Sequence, residues 1–125
     1  MKIAGFWSGH DCSFCVLDNG KPIVHAEYER YVREKEPAGD SVQFMFDEYD
    51  SWENIKHVAT CRSIKKLEQH DESFEKLKQV LKKNEGELYI IGHHQAHAAN
   101  TFYSSNYKNA LIVTIESRAK DRINR

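Results

Sequence analysis

Three histidines within a five-residue stretch are the first candidates for chemistry in this sequence. His93, His94 and His97 follow a short apolar run, in the stretch HHQAHAANTFY. On a helix, residues four positions apart lie on one face, so His93 and His97 can bind one transition-metal ion. His94 is rotated by about 100° from His93 and is therefore the poorer third ligand.

Two interpretations of the histidine stretch remain open from the residues alone. The spacing resembles the H-E-x-x-H pattern of zinc proteases, but position 94 is histidine, so the general base of such a protease is missing. The alternative is a cluster of capping and solvent-facing histidines. The location favours a ligand site, because it follows a predicted buried strand, at the strand end where α/β sheets place ligands.

The turn that contains Gly9, His10 and Asp11 is the second candidate. Gly9 permits a tight turn, and backbone N–H groups in such a turn can bind phosphate oxygens. His10 and Asp11 could orient a substrate or transfer a proton. The alternative is a plain hairpin turn in which Asp11 accepts local backbone hydrogen bonds.

A charge-rich stretch and a cysteine pair have simpler interpretations. The charges of AEYERYVREKE, residues 26–36, are expected to form a solvated face, which is the default for such runs. Cys12 and Cys15 form a C-x-x-C, but on a predicted strand the odd spacing points them to opposite faces, so they cannot share one ion. We therefore expect core cysteines with reduced thiols.

Composition excludes several classes of protein. The chain has 125 residues, enough for one domain with a core, and its 18 basic and 19 acidic residues nearly balance. A net charge of -1 gives no general attraction to nucleic acid or to an anionic membrane. No apolar run approaches the ~20 residues that a membrane span needs, and the start of the sequence does not resemble a signal peptide. We expect a cytoplasmic protein.

The elements that must position these residues follow from the apolar pattern. Strands are predicted over KIAGFW, SFCVLD, PIVHAEYERY, IKHVATC, ELYIIG and NALIVTIE, with a hairpin turn at DNGK. Helices are predicted after the cap Asp40 or Ser41 (apolar stripe Val42, Met45, Phe46 and Tyr49), over ESFEKLKQVLKKN (inner face Phe74, Leu77 and Leu81) and over HQAHAANTFY. Three antiparallel strands followed by strand–helix alternation predict an α/β fold with a mixed sheet, the pattern of a ribonuclease-H-like lobe.

Three motifs in the same order resemble the N-terminal part of the nodulation- and antibiotic-type O-carbamoyltransferases. The first is GFWSGHDCSFCVLDNG, where the family has a strand, an HDS-like turn, an apolar strand and a DG hairpin. The second is AEYERYVREK, which matches the family's charged pattern at Ala26, Glu27, Glu29, Arg30, Arg33 and Lys35. The third is HHQAHAANTFYSSNY followed by ALIVTIE, where the family has histidines, a helix and an apolar strand ending in TID.

The resemblance implies one half of an actin-like, sugar-kinase-like fold built of two ribonuclease-H-like lobes. It implies transfer of a carbamoyl group from carbamoyl adenylate, made from carbamoyl phosphate and ATP, to a hydroxyl of a small-molecule substrate. The implied roles are metal ligands (His93 and His97, with iron as the metal), catalytic residues (His10 and Asp11) and cofactor-binding residues (Gly9, Glu27, Arg30 and Lys35).

The same resemblance predicts how the chain is organised. Residues 1–110 would be the N-terminal lobe, and residues 111–125 the start of the second lobe with a charged tail. Where the family has TIDG this sequence has TIES, so a glycine beside phosphate is lost. We expect little carbamoyl transfer by the chain alone, and self-association through an uncovered apolar surface. The alternatives are a non-catalytic metal- or nucleotide-binding lobe and, less favoured, a ribonuclease-H-class nuclease.

Overall fold

The computed structural model of the chain describes residues 1–32 and 38–115 and divides into two compact units. The first unit is Met1–Ile90 and the second is Ile91–Arg125. The predicted lobe boundary at residue 110 lies within the second unit and stays a prediction.

The first unit is built on a five-stranded mixed sheet. Its strands are β1 (Lys2–Trp7), β3 (Ser13–Asp18), β4 (Lys21–Glu27), β6 (Ile55–Thr60) and β7 (Glu87–Ile90). The order is β4-β3-β1-β6-β7; β3 is antiparallel to β1 and β4, whereas β6 is parallel to β1 and β7. Short strands β2 (Gly9–His10) and β5 (Ala38–Gly39) pair antiparallel to each other. The predicted α/β class and mixed sheet are confirmed.

The turn between β3 and β4 is encoded locally. Asn19 and Gly20 both have positive φ angles, 50° and 84°, and Asp18 pairs with Lys21 across the two-residue loop. Turns of this kind match the twist of the strands they join and need residues that tolerate positive φ, which explains the Asn-Gly pair. The hairpin predicted at DNGK is therefore confirmed.

Helices in the described residues lie between the strands and after the sheet. They are α1 (Tyr28–Val32), α2 (Ser41–Glu48), α3 (Ile64–Leu67), α4 (Asp71–Lys83) and, in the second unit, α5 (His93–Tyr103). The Asp40 carboxylate caps α2, because it accepts hydrogen bonds from the backbone N–H groups of Val42 and Gln43, both at 3.1 Å. No helix among the described residues is long and apolar enough to cross a membrane.

The strand predicted over PIVHAEYERY is shorter in the structure. It ends at Glu27, and residues 28–32 form the helix α1. The rings of Tyr28 and Tyr31 both contact the ring of Phe44, with centroids 5.3 and 4.9 Å apart. A spacing of three residues places both rings on one face of a helix but on opposite faces of a strand, so packing on Phe44 favours the helix.

The core of the first unit lies between the sheet and the helices α2 and α4. Its largest buried side chains include Phe14, Met45, Ile55, Leu67 and Leu77. The inner face predicted for α4 is confirmed, since Phe74, Leu77 and Leu81 are all buried. On α2 the prediction missed Phe44, which is buried against Phe14 with an edge-to-face geometry at 5.3 Å.

Two other strand predictions are wrong in part. The strand β7 was predicted to be buried, but it lies at the edge of the sheet and only Leu88 is half-buried. The stretch NALIVTIE was predicted to be a strand, but the structure forms none over residues 109–115. Both stretches have the residue types of strands, and strand formation also needs a neighbouring strand for the backbone to pair with.

The C-terminus of α4 closes with a residue in an unfavourable backbone conformation. Glu85 has a φ of 56°, the N–H of Glu85 donates to the carbonyl oxygen of Lys82, and the N–H of Gly86 donates to that of Leu81. This is the Schellman arrangement, in which glycine usually occupies the position of Glu85. Gly86 is needed for another reason, because a Cβ there would lie 2.5 Å from the carbonyl oxygen of Lys56.

We expect single replacements of Glu85 and Gly86 to have opposite effects on the free energy of unfolding. Glu85→Gly should raise the free energy of unfolding by about 1 kcal/mol, because it relieves the left-handed conformation. Gly86→Ala should lower it by about 2 kcal/mol, because the new methyl group forces backbone apart. Urea denaturation of the two variants and the parent measures both changes, and the same sign for both would contradict this description of the helix end.

Candidate functional site

The second unit brings His93 and His97 together on one face of α5. The helix begins after Gly92, whose carbonyl oxygen accepts a hydrogen bond from the Ala96 N–H at 2.9 Å. One helical turn separates the two histidines, and their ring centroids are 4.7 Å apart with ring planes at 84°. Their Nε2 atoms are 3.2 Å apart, with His93 half-buried and His97 exposed.

This separation fits two ligands of one metal ion. Metal–imidazole bonds are about 2.0–2.1 Å long, so two nitrogens bound at a tetrahedral angle lie about 3.3 Å apart. The observed Nε2–Nε2 distance of 3.2 Å is close to this value. The same distance also allows a hydrogen bond between two neutral rings, with one Nε2 donating and the other accepting.

His94 has a different partner. Its Nδ1 lies 3.0 Å from the Oγ1 of Thr114, a hydrogen bond within the second unit. Its ring is edge-on to that of His93, with centroids 5.7 Å apart. This contact ties α5 to the apolar segment that follows it, so His94 has a structural partner of its own.

At this site the described residues provide two metal ligands, His93 and His97. Within residues 1–32 and 38–115, no group of three or more His, Cys, Asp or Glu side chains is arranged to hold a metal ion. A pair of imidazoles leaves the remaining coordination positions to water or to oxygen atoms of a substrate. Such a pair suits Fe²⁺, Co²⁺ or Zn²⁺ better than Mg²⁺, which prefers oxygen ligands.

The first unit contains a separate cavity of about 150 Å³ that we call the acidic pocket. It is lined by Asp11, Cys12, Glu27 and Glu29. The residues meet because the Tyr28 N–H donates to the Cys12 carbonyl oxygen at 3.0 Å, which joins the end of β4 to the turn before β3. Asp11 has a φ of 58°, a conformation that Asp tolerates better than most residues.

Carboxylates of the acidic pocket decide which groups it can receive. Ionised carboxylates only accept hydrogen bonds, so the pocket suits hydroxyl, amide N–H or cationic groups. A phosphate would meet like charge there. The acidic pocket thus fits a sugar or acceptor hydroxyl better than the phosphate expected beside Gly9.

The thiol of Cys12 is held protonated at the wall of the acidic pocket. Burial, with a smaller contribution from the charge of Asp40, raises the pKa of Cys12 to about 11. The thiolate is the reactive form of cysteine, so Cys12 is a poor nucleophile near neutral pH. The residue is 1% exposed and unpaired with another cysteine, which agrees with the expected core role.

The raised pKa of the Cys12 thiol predicts how the free energy of unfolding changes at alkaline pH. The folded-state pKa lies above the ordinary value of 9.0, so the stabilisation is complete below pH 9 and is lost as pH rises towards 11. Two pH units correspond to about 2–3 kcal/mol. We expect the parent to lose this much more stability than Cys12→Ser between pH 8.5 and 11, measured by urea denaturation across that range, because serine does not titrate there. Equal losses would contradict the burial of the thiol.

The other predicted site residues are distributed as follows. Gly9 and His10 form β2, which pairs with Ala38 and Gly39, so the predicted tight turn begins only after His10, at Asp11. Arg30 lies with its Nε 3.7 Å from the Glu27 Oε2, and both side chains are largely exposed, so this ion pair is weak. Arg33 and Lys35 lie outside the described residues.

Asp40 and Arg62 are polar residues that sequence reasoning did not assign to a site. Besides capping α2, Asp40 accepts a hydrogen bond from the Ser73 hydroxyl at 2.6 Å and faces Cys12. The guanidinium of Arg62 lies 4.9 Å from the centre of the Trp7 ring. Trp7 is the last residue of β1, and Arg62 follows the carboxyl end of β6. The only sequence signal for the contact of Arg62 with Trp7 is that both residues lie at the ends of predicted strands.

Comparison with known proteins adds no family to this picture. No protein-family model matches the sequence, and no curated protein matches it.

Proposed function

We propose that the chain is the N-terminal, ribonuclease-H-like lobe of an O-carbamoyltransferase and that His93 and His97 hold its divalent metal ion. The observation that carries the proposal is the 3.2 Å separation of the two Nε2 atoms, which suits a shared ion. The sequence resemblance supplies the reaction. The strand order β4-β3-β1-β6-β7, with three antiparallel strands followed by parallel ones, supports the proposed type of lobe.

The roles of the described residues follow from their chemistry. A bound metal ion would neutralise phosphate charge on the acyl donor and fix its position. Asp11 and Glu27 would accept hydrogen bonds from hydroxyl groups of the nucleotide or the acceptor substrate in the acidic pocket. Asp11, with His10 beside it in sequence, would accept the proton of an acceptor hydroxyl. In the transfer that the resemblance implies, that oxygen bonds to the carbamoyl carbon while the bond from this carbon to the phosphate oxygen breaks and AMP leaves.

Orientation matters more than acid–base strength in this proposal. Positioning of two reactants can lower the activation barrier by about 7–11 kcal/mol, whereas general-base catalysis increases the rate by about 10²–10⁴-fold, which is a smaller effect. We therefore expect Glu27 and Asp11 to contribute mainly by holding hydroxyl groups.

A non-catalytic lobe that binds metal or nucleotide is the second candidate. The observation that favours it is the ligand count, since the described residues provide two imidazoles at the candidate metal site. A two-imidazole site binds metal with modest affinity, and part of its shell would come from a nucleotide phosphate or from a partner protein. This candidate shares the metal ligands of the first and differs from it in lacking transfer of a carbamoyl group.

Nucleotide phosphate should enter the metal shell, and cobalt provides the test. We expect AMP, which carries the phosphate and adenosine of the proposed donor, to change the visible absorption of the Co²⁺-loaded chain. Adenosine, which lacks the phosphate, should leave the spectrum unchanged. Equal effects of AMP and adenosine, or none from AMP, would contradict a phosphate-binding metal site. Carbamoyl transfer from carbamoyl phosphate and ATP to a hydroxyl compound is expected to be small for the chain alone, so transfer above that of His97→Ala would favour the catalytic candidate over the non-catalytic one.

A further inference from the structure

The strands β1 and β6 form the topological switch point of the sheet in the first unit. They are parallel neighbours, with Phe6 opposite Thr60 near their carboxyl ends. From the end of β1 the chain passes through β2 to β3 on one side, whereas from the end of β6 it passes through α3 and α4 to β7 on the other side. Connections that leave in opposite directions open a crevice at the strand ends, and open α/β sheets bind their ligands in such crevices.

Trp7 and Arg62 lie at the two strand ends that border this switch point. Trp7 is the last residue of β1, and Arg62 is the second residue after β6. The backbone of Arg62 is fixed, because its N–H donates to the Oγ1 of the buried Thr60 at 3.2 Å. The side chain is held as well, because its guanidinium carbon lies 4.9 Å from the centre of the Trp7 ring, within the range of a cation–π contact.

The contact with Trp7 leaves the hydrogen-bonding capacity of Arg62 unused. An aromatic face supplies no lone-pair acceptor and no opposite charge, so the N–H donors of the guanidinium keep their capacity for a ligand. Arg62 is half-buried, and within residues 1–32 and 38–115 its guanidinium forms no ion pair with a carboxylate. A partly desolvated guanidinium attracts oxyanions, which its planar fork can bind through two parallel hydrogen bonds.

The charges beside Arg62 favour a doubly charged oxyanion. Lys65 and Lys66 follow in α3 with exposed side chains, and residues 61–67 include no acidic residue. Three positive charges close together along the chain attract a dianion more strongly than a monoanion. A phosphate monoester is mostly a dianion at pH 7.5, because its second pKa is about 6. A carboxylate or a phosphate diester carries a single charge.

We propose that Arg62, held against Trp7 at the switch point, binds the phosphate group of a small phosphate monoester. Lys65 and Lys66 would contribute by raising the local concentration of the anion. The site lies within the first unit and needs no metal ion and no residue of the second unit. It is therefore independent of the metal site proposed at His93 and His97 and of carbamoyl transfer.

The indole N–H signals of the ¹⁵N-labelled full chain report binding at this place. Trp7 lies at the site, whereas Trp52 is buried in the core and its Nε1–H donates to the Tyr49 carbonyl oxygen at 2.7 Å. Methyl phosphate, added at pH 7.5 with EDTA to remove metal ions, should shift the Trp7 signal saturably and leave the Trp52 signal in place. Dimethyl phosphate, the singly charged diester, should bind more weakly. The variant Trp7→Phe assigns the two signals.

Three variants show which residue holds the phosphate. Arg62→Gln should weaken the binding of methyl phosphate by about tenfold or more, because it removes the charge and the fork. Arg62→Lys keeps the charge without the fork and should bind about threefold more weakly than the parent. The control is Lys82→Gln, which removes one positive charge at an exposed position of α4 and should keep the parental affinity.

Four results would each overturn the proposal. They are a Trp7 signal of the parent that does not shift saturably, equal affinity for the two phosphate esters, parental affinity in R62Q or R62K, and a loss in K82Q equal to that in R62Q. The unchanged Trp52 signal in every variant shows that the core is kept. The first of these results would leave the metal site at His93 and His97 untouched, because EDTA keeps that site out of the measurement.

Discussion

Cobalt affinity should fall as the pH drops from 7 to 5, and it should fall more steeply for the parent than for His97→Ala, because protons compete with the ion for both imidazoles of the parent. The structural reason is the pair of Nε2 atoms 3.2 Å apart, which lets both rings reach one ion. In the single variant His97→Ala only one imidazole is left for protons to compete for, so the affinity should change less with pH. Spectrophotometric titration with Co²⁺ at several pH values measures both slopes.

The control for this pH effect is His94→Ala. His94 bonds to Thr114 and is not expected to contribute a ligand, so the variant should keep the parental slope. A parental slope equal to that of His97→Ala would show that only one histidine binds the ion.

The second large effect is expected in the core, where Phe14→Ala should lower the free energy of unfolding by about 4 kcal/mol. Phe14 is 2% exposed, lies on β3 and packs edge-to-face on Phe44 at 5.3 Å. Removing its ring leaves a cavity between the sheet and α2. Domains are stable by only about 5–15 kcal/mol, so the variant would be close to unfolding.

Urea denaturation of Phe14→Ala, Phe14→Leu and Ile23→Ala tests this expectation. Phe14→Leu keeps most of the volume and should cost less than half as much. Ile23 is 47% exposed on the edge strand β4, so its replacement should cost about 1 kcal/mol or less. A small effect at Phe14 would contradict the packing of α2 on the sheet.

The features that the sequence predicted well depend on neighbours along the chain. Asn19 and Gly20 adopt the positive φ angles of the expected hairpin, and Asp40 caps α2 through its own side chain. The i, i+4 contact of His93 and His97 likewise needs only one helix. In each case the interacting residues lie within four positions, so local geometry determines the outcome.

The features that the sequence predicted badly depend on contacts between residues that are far apart along the chain. Tyr28 and Tyr31 turn a predicted strand into α1, because both rings pack on Phe44 more than ten residues later. The acidic pocket forms because a backbone hydrogen bond brings Cys12 to Tyr28, and no pattern within either stretch reports that contact. A run of apolar residues such as 110–115 predicts a strand by composition, but strand formation also requires a partner.

Metal titration of four proteins tests the central claim most directly: the parent, His93→Ala, His97→Ala and His94→Ala, each followed by Co²⁺ absorption at pH 7.5. The account predicts one ion per parental chain and a loss of affinity of about a hundredfold in His93→Ala and in His97→Ala. His94→Ala should bind within about threefold of the parent, because its ring contacts Thr114 rather than the ion. Loss of binding in His94→Ala alone, or undiminished binding in all three variants, would contradict a metal site at His93 and His97.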